Sequence, residues 1–169
     1  PVFLQLLDIL LARATYPAQF DNMALKGAAM PYEYGDFLRF REVLSETLLS
    51  VFYILQKSFF APLVQRLEQK GAPSWQTVDC VLYALQCISP ALRRLYSADN
   101  DDKTQQSVEL KEFTSKLFEQ IFLRIYDTLN TSGSPNKSGF PPHPVLISSS
   151  CVLIASLAFW LENNLQLAQ

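Results

Sequence analysis

The sequence predicts an all-α chain, and three observations predict it. Every strong apolar periodicity steps by three and four residues, the spacing of one helical face. Five glycines and ten prolines in 169 residues leave little room for turn-rich β architecture. No segment alternates apolar and polar residues for long enough to form a strand.

The helices are justified in chain order. Val2 to Ala14 reads as the first, about 2–15, ended near Pro17. Phe37, Phe40, Leu44, Leu48, Val51 and Leu55 form one stripe of the next, with Asp36 placed as its N-cap. Phe60, Leu63 and Leu67 mark a shorter helix stopped by Gly71 and Pro73. Ser74 caps a helix with the stripe Trp75, Val78, Val81/Leu82, Leu85, Ile88 and Leu92; Pro90 predicts a kink or an early end near Ile88 to Ser89.

After the polar loop "SADNDDKTQQ" (Ser97 to Gln106), Val108, Phe113, Leu117, Ile121, Ile125 and Leu129 line a further helix. Thr131 to Pro144, "TSGSPNKSGFPPHP", is expected to be a surface loop. The last helix spans about 145–161, richest at Leu146, Leu153, Leu157, Trp160 and Leu161. Trp75 and Trp160 fall on apolar sides and read as core. The run Val145 to Leu161 is short for a membrane span and is interrupted by Ser148, Ser149, Ser150 and Ser156, so it reads as a buried helix.

The arginines of "EYGDFLRFREVLSETLLSVFYIL" (Glu33 to Leu55) pose the sharpest question. Two cations, Arg39 and Arg41, stand among aromatics where a helix start carries partial positive charge. They lie about 200° apart around the helix and cannot share a face. Arg39 can reach Asp36 or Glu42 on its own side. Arg41 points elsewhere, into the groove towards a neighbouring helix, and the pair reads as a lock between helices rather than a ligand-reading patch.

Composition excludes several functions. Hydrophobic residues make up 49%, charged residues 18%, and the net charge is −2. A duplex nucleic-acid binder needs a basic stripe, which this balance disfavours. Cys80, Cys87 and Cys151 have no zinc spacing; Cys80 and Cys87 share a helix face about 10 Å apart, too far to bridge, so all three read as reduced core thiols. The acidic loop Asp99, Asp101, Asp102 fails as an EF-hand: Thr104 replaces the required glycine and Leu110 the terminal glutamate. His143, in "PPHP", has no Ser or Cys near it in sequence. With no nucleophile–base pair, metal spacing or phosphate loop, the chain does not read as an enzyme, and no cofactor is implied.

Long helices alternate with short or variable ones. Pairs of roughly 40 residues are the mark of HEAT or armadillo solenoids, in which each pair buries its face on its neighbours. Two pairs are expected, at about 36–70 and 74–130, with orphan helices at about 2–15 and 145–161. The expected architecture is therefore an α-α superhelix, one solenoid fragment over 1–169. Because the chain opens at Pro1 directly into "VFLQLLDILLARA", it is expected to be an excerpt of a longer protein, poorly soluble when its apolar end faces lack neighbours.

"FLRFREVLSETLLSVFYIL", followed by "APLVQRLEQKGAPSWQTVDCVLYALQCI", resembles the importin-β superfamily of nuclear transport receptors. It is most similar to the importin-thirteen and transportin-SR branch, as a central HEAT-repeat fragment. The resemblance runs from "PVFLQLLDILLARATYP" through "SWQTVDCVLYALQCI" to "LIASLAFWLENN". The linker Ala18 to Tyr34 departs from it, carrying only Asp21 and Glu33 as acids, and the segments around Val108–Leu129 and Thr131–Pro144 match no part of it.

The resemblance implies a carrier that shuttles between nucleus and cytoplasm. Its partners would be protein cargo, a Ran-type GTPase and nucleoporins, with no membrane insertion. The candidate protein-contact residues are argued physically, as polar faces of helices lining a concave surface: Arg39, Glu42 and Glu46 on one helix, and Gln76, Asp79 and Gln86 on another. As solvated helix faces, the same residues would contribute only about 0.3–0.5 kcal/mol per pair. A HEAT scaffold subunit indifferent to the GTPase, and an RNA exportin fragment, stay open as alternatives; the net charge of −2 speaks against the second.

Overall fold

The computed structural model describes residues 2–20, 32–68, 72–97, 104–130, 140, 141 and 143–164, where every regular element is helical. In chain order these are α1 (Val2–Ala14), α2 (Tyr32–Leu55), α3 (Phe60–Leu67), α4 (Trp75–Tyr96), α5 (Gln105–Asn130), α6 (Pro144–Ser156) and α7 (Ala158–Asn163). Short 3-10 turns occupy Ala18–Phe20 and Gln56–Phe59. The acidic loop Asp99, Asp101, Asp102, most of the linker after Phe20, Gly71 and most of Thr131–Pro144 lie outside the described residues.

The centre of the fold is α4, because its sequence is apolar on almost every side. Val78, Cys80, Val81, Leu82, Ala84, Leu85, Ile88, Ala91 and Leu92 are all buried. A helix apolar all round needs partners all round. α4 packs against α2 and α6 most extensively, with α1, α3, α5 and α7 also touching it. Ser74 caps it as expected, its hydroxyl accepting from the Thr77 N–H at 3.2 Å.

Pro90 does not end α4, so the early end, one of the two expected outcomes, does not occur. The helix runs on to Tyr96, with Pro90 on its exposed side and Ala91 and Leu92 buried beyond it. Tertiary burial on both sides of the proline outweighs the one backbone hydrogen bond it removes.

α2 departs from its expected start and from part of its stripe. It begins at Tyr32, so Asp36 lies inside it and is not the N-cap. Aromatic packing extends the helix upstream: Tyr34 stacks on Tyr16 at 6.0 Å and meets Phe20 edge-on at 5.9 Å, while Phe37 lies 4.8 Å from Tyr16. The buried face is Arg41, Leu44, Leu48, Val51 and Phe52, whereas Phe40 is 44% exposed. The stretch Glu33–Leu67 is long and apolar enough to cross a membrane by length and composition. It is interrupted at Gln56, whose φ of 49° lies in the left-handed region.

Phe60, Leu63 and Leu67 are buried as the stripe requires. Phe60 meets Phe52 and Phe59 at 5.9 Å and Phe113 of α5 at 5.5 Å. α5 buries Leu110, Thr114, Leu117, Phe118, Ile121 and Ile125, but Val108 and Leu129 of its expected stripe are exposed. Thr114 is tolerated inside because its hydroxyl donates to the Leu110 carbonyl at 2.8 Å.

The expected single helix over 145–161 is two. α6 closes at Leu157, and a 3-10-like bond from the Trp160 N–H to the Leu157 carbonyl at 2.9 Å starts α7. His143 caps α6, its Nδ1 accepting from the Val145 N–H at 3.3 Å while its ring stacks on Trp75 at 3.8 Å. Trp160 is core, as expected, and its indole N–H donates to Ser115 Oγ at 3.1 Å. Trp75 is half-buried.

Candidate functional site

Arg41 sits in the third turn of α2, which begins at Tyr32, so the first-turn dipole objection to a cation does not apply to it. Its guanidinium reaches back across the fold to the last residue of α1. Nε donates to the Ala14 carbonyl at 2.9 Å and Nη2 to the same oxygen at 2.6 Å. Ala14 ends a helix, where unpaired carbonyls carry partial negative charge, and a cation there is favoured by about 0.3–1 kcal/mol or more when partly buried.

The same Nη2 is 2.6 Å from Asp79 Oδ2 on α4, in a pair whose side chains are 7% and 0% exposed. The guanidinium lies against three rings, 4.3 Å from the centroid of Tyr16, 4.4 Å from Tyr83 and 5.1 Å from Phe37. The Tyr83 hydroxyl donates to the Arg41 carbonyl. Burial raises both the Tyr16 and Tyr83 phenols above the ordinary tyrosine range, so both stay protonated.

The network continues into α6. Ser149 Oγ donates to Asp79 Oδ1 at 2.5 Å, and Gln86 Nε2 donates to the Ser149 carbonyl at 2.8 Å. Asp79 and Gln86 stand seven apart, two turns along one face of α4, and both hold the same serine. A single buried node thus ties α1, α2, α4 and α6.

The six candidate contact residues therefore divide. Arg39, Glu42 and Glu46 are exposed on α2, and Arg39 pairs with Asp36 at 3.9 Å with both side chains largely in solvent. Gln76, Asp79 and Gln86 are not an open polar face. Gln76 and Asp79 are buried and Gln86 is half-buried, because α2 and α6 cover both flanks of α4. Glu46 and Gln86 are brought together, lining a cleft of about 370 Å³ between α2 and α4 with Ser45, Leu49, Cys87 and Pro90.

Of the two arginines expected to lock neighbouring helices, Arg41 does so, through partners the sequence did not show, whereas Arg39 pairs with Asp36 on its own helix in solvent. Ser149 carries no sequence signal beyond the Ser148–Ser150 run, and Tyr16 lies ahead of the linker. Among the described residues no three His, Cys, Asp or Glu side chains form a metal-sized group.

The thiols differ from the expectation that all three are core. Cys80 is buried with its Sγ donating to the Leu11 carbonyl at 3.2 Å, Cys87 is half-buried, and Cys151 is exposed. Burial pushes the Cys80 thiol up and the Cys87 thiol up to about 11. Raised thiols hold little thiolate at neutral pH, and thiolate is the nucleophile. Iodoacetamide on the native chain is therefore expected to label Cys151 first, with Cys80 and Cys87 following only on denaturation; peptide mass spectrometry reads the order. Early labelling of Cys80 would contradict this packing.

No family model matches the chain, and no curated protein or solved structure matches it significantly.

Proposed function

We propose that this chain is a HEAT-repeat segment of an importin-β-type nuclear transport receptor, binding protein cargo under the control of a Ran-type GTPase. The observation that carries the reading is the order of packing. α2 and α6 flank α4, and each of these three is followed by a second helix, α3, α5 and α7. In this reading α6 with α7 stands as a third pair in place of the expected orphan helix at 145–161, following α2 with α3 and α4 with α5 in chain order. Neighbour-to-neighbour burial of this kind is how solenoids are held together.

The Phe-Arg helix that carries the sequence resemblance supports the reading through its role. Arg41 fastens α2 to the helices on either side of it, which a stack of pairs requires at every step. In such a carrier the protein makes and breaks no covalent bonds. Cargo and GTPase each bind one curvature of the spring better than another, and the coupling between them is the function. Nucleoporin contacts would carry the loaded receptor between nucleus and cytoplasm.

The test is recovery of the full-length polypeptide carrying this chain on immobilised Ran locked in its GTP or GDP form. The transport reading expects strong preference for the GTP form. Equal recovery on both would overturn it and leave a structural HEAT scaffold.

A further inference from the structure

We infer that the trough between α3 and α5 is a docking groove for one amphipathic helix of a partner protein, bearing carboxylates at the end that meets Lys57 and Lys116. The trough exists because α5 rests on α4 and on the 3-10 turn Gln56–Phe59 rather than along α3. The space left is about 950 Å³, open along its length. A small molecule would bury too little of its surface in an open trough, whereas a helix laid between two helices buries a whole face.

The floor is apolar where a helix would seat its stripe. Ala61 and Val64 contribute from α3, Phe113 and Leu117 from α5. Ala61 is exposed, and Val64 and Phe113 are only half-buried, so this surface is incompletely covered by the fold itself.

Charge sets the occupant and its direction. Lys57 stands on the 3-10 turn that leads into α3, its ammonium 5.9 Å from the ring of Phe113, which lies one turn before Lys116 on α5. At the opposite end Glu68 and Gln120 line the groove, and an adjoining recess adds Arg124, so charge there cancels. Glu109 pairs with Lys57 at 3.7 Å, but both side chains are about half in solvent, and such a pair gives way readily to a better-placed carboxylate. The negative C-terminal end of a docked helix is therefore directed to the two lysines. The inference goes beyond the transport reading and does not rest on it.

The test uses two fluorescent helical peptides with the same leucine stripe, one ending in a glutamate-rich turn and the other in a lysine-rich turn. Fluorescence anisotropy with the full chain is expected to show the glutamate peptide binding at least about tenfold more tightly. The Lys57→Glu/Lys116→Glu variant is expected to reverse that preference. Ala61→Arg, on an exposed position that leaves the core intact, is expected to abolish binding of both, with the helical circular dichroism unchanged. Equal affinity for the two peptides, no binding of either, or binding insensitive to Ala61→Arg would each overturn the inference.

Discussion

Replacing Arg41 with alanine is expected to lower the free energy of unfolding by about 3–5 kcal/mol, read by urea titration under far-UV circular dichroism. The loss exceeds that of an ordinary polar truncation because of what remains. Asp79, fully buried, is left with Ser149 as its one donor among the described residues, and the Ala14 carbonyl loses both guanidinium N–H groups. Asp79→Ala is expected to cost a similar amount by stranding the guanidinium between Tyr16 and Tyr83. Arg39→Ala is the internal control. Its pair with Asp36 is long and solvent-exposed, and its loss should lie within about 0.5 kcal/mol of zero.

Phe60→Ala is expected to destabilise by about 3–5 kcal/mol, the range for an aromatic deleted from a closed core. Phe60 is fully buried and its ring meets rings from α2, the 3-10 turn and α5. The cavity would open where α5 meets α3 and the 3-10 turn, at the Phe60–Phe113 contact. Phe60→Leu refills much of the volume and should cost markedly less. Equal losses for the two variants would show that ring packing, not volume, dominates.

What could be read from sequence follows the range of the forces involved. Leu44, Leu48 and Val51, or Phe60, Leu63 and Leu67, declare themselves because one helix repeats its own geometry every few residues. The Ser74 cap is equally local. Phe37 and Phe40 could not be separated this way, because both fit a three-and-four spacing; the aromatic partners Tyr16, ahead of the linker, and Phe20, near its start, decide for Phe37. Thr114 was hidden for a different reason. A hydroxyl that bonds its own helix can be buried without any partner visible in the sequence.

The candidate site was less legible than the fold. Asp79 and Gln86 were singled out as polar residues on a helix, and both carry specific interactions: Asp79 with Arg41 of α2 and Ser149 of α6, Gln86 with Ser149. Asp79 is 38 residues from Arg41 and 70 from Ser149. No local periodicity reports a pairing at that distance, and only packing of α4 between its neighbours brings the three together.

The central claim is that Arg41 and Asp79 act as one buried unit holding neighbouring helices in place. A double-mutant cycle on Arg41→Ala and Asp79→Ala, read by equilibrium unfolding, tests it most directly. The account predicts a coupling energy of about 2–3 kcal/mol, with the double variant far less damaged than the sum of the singles. Additive losses, with coupling below about 0.5 kcal/mol, would contradict it.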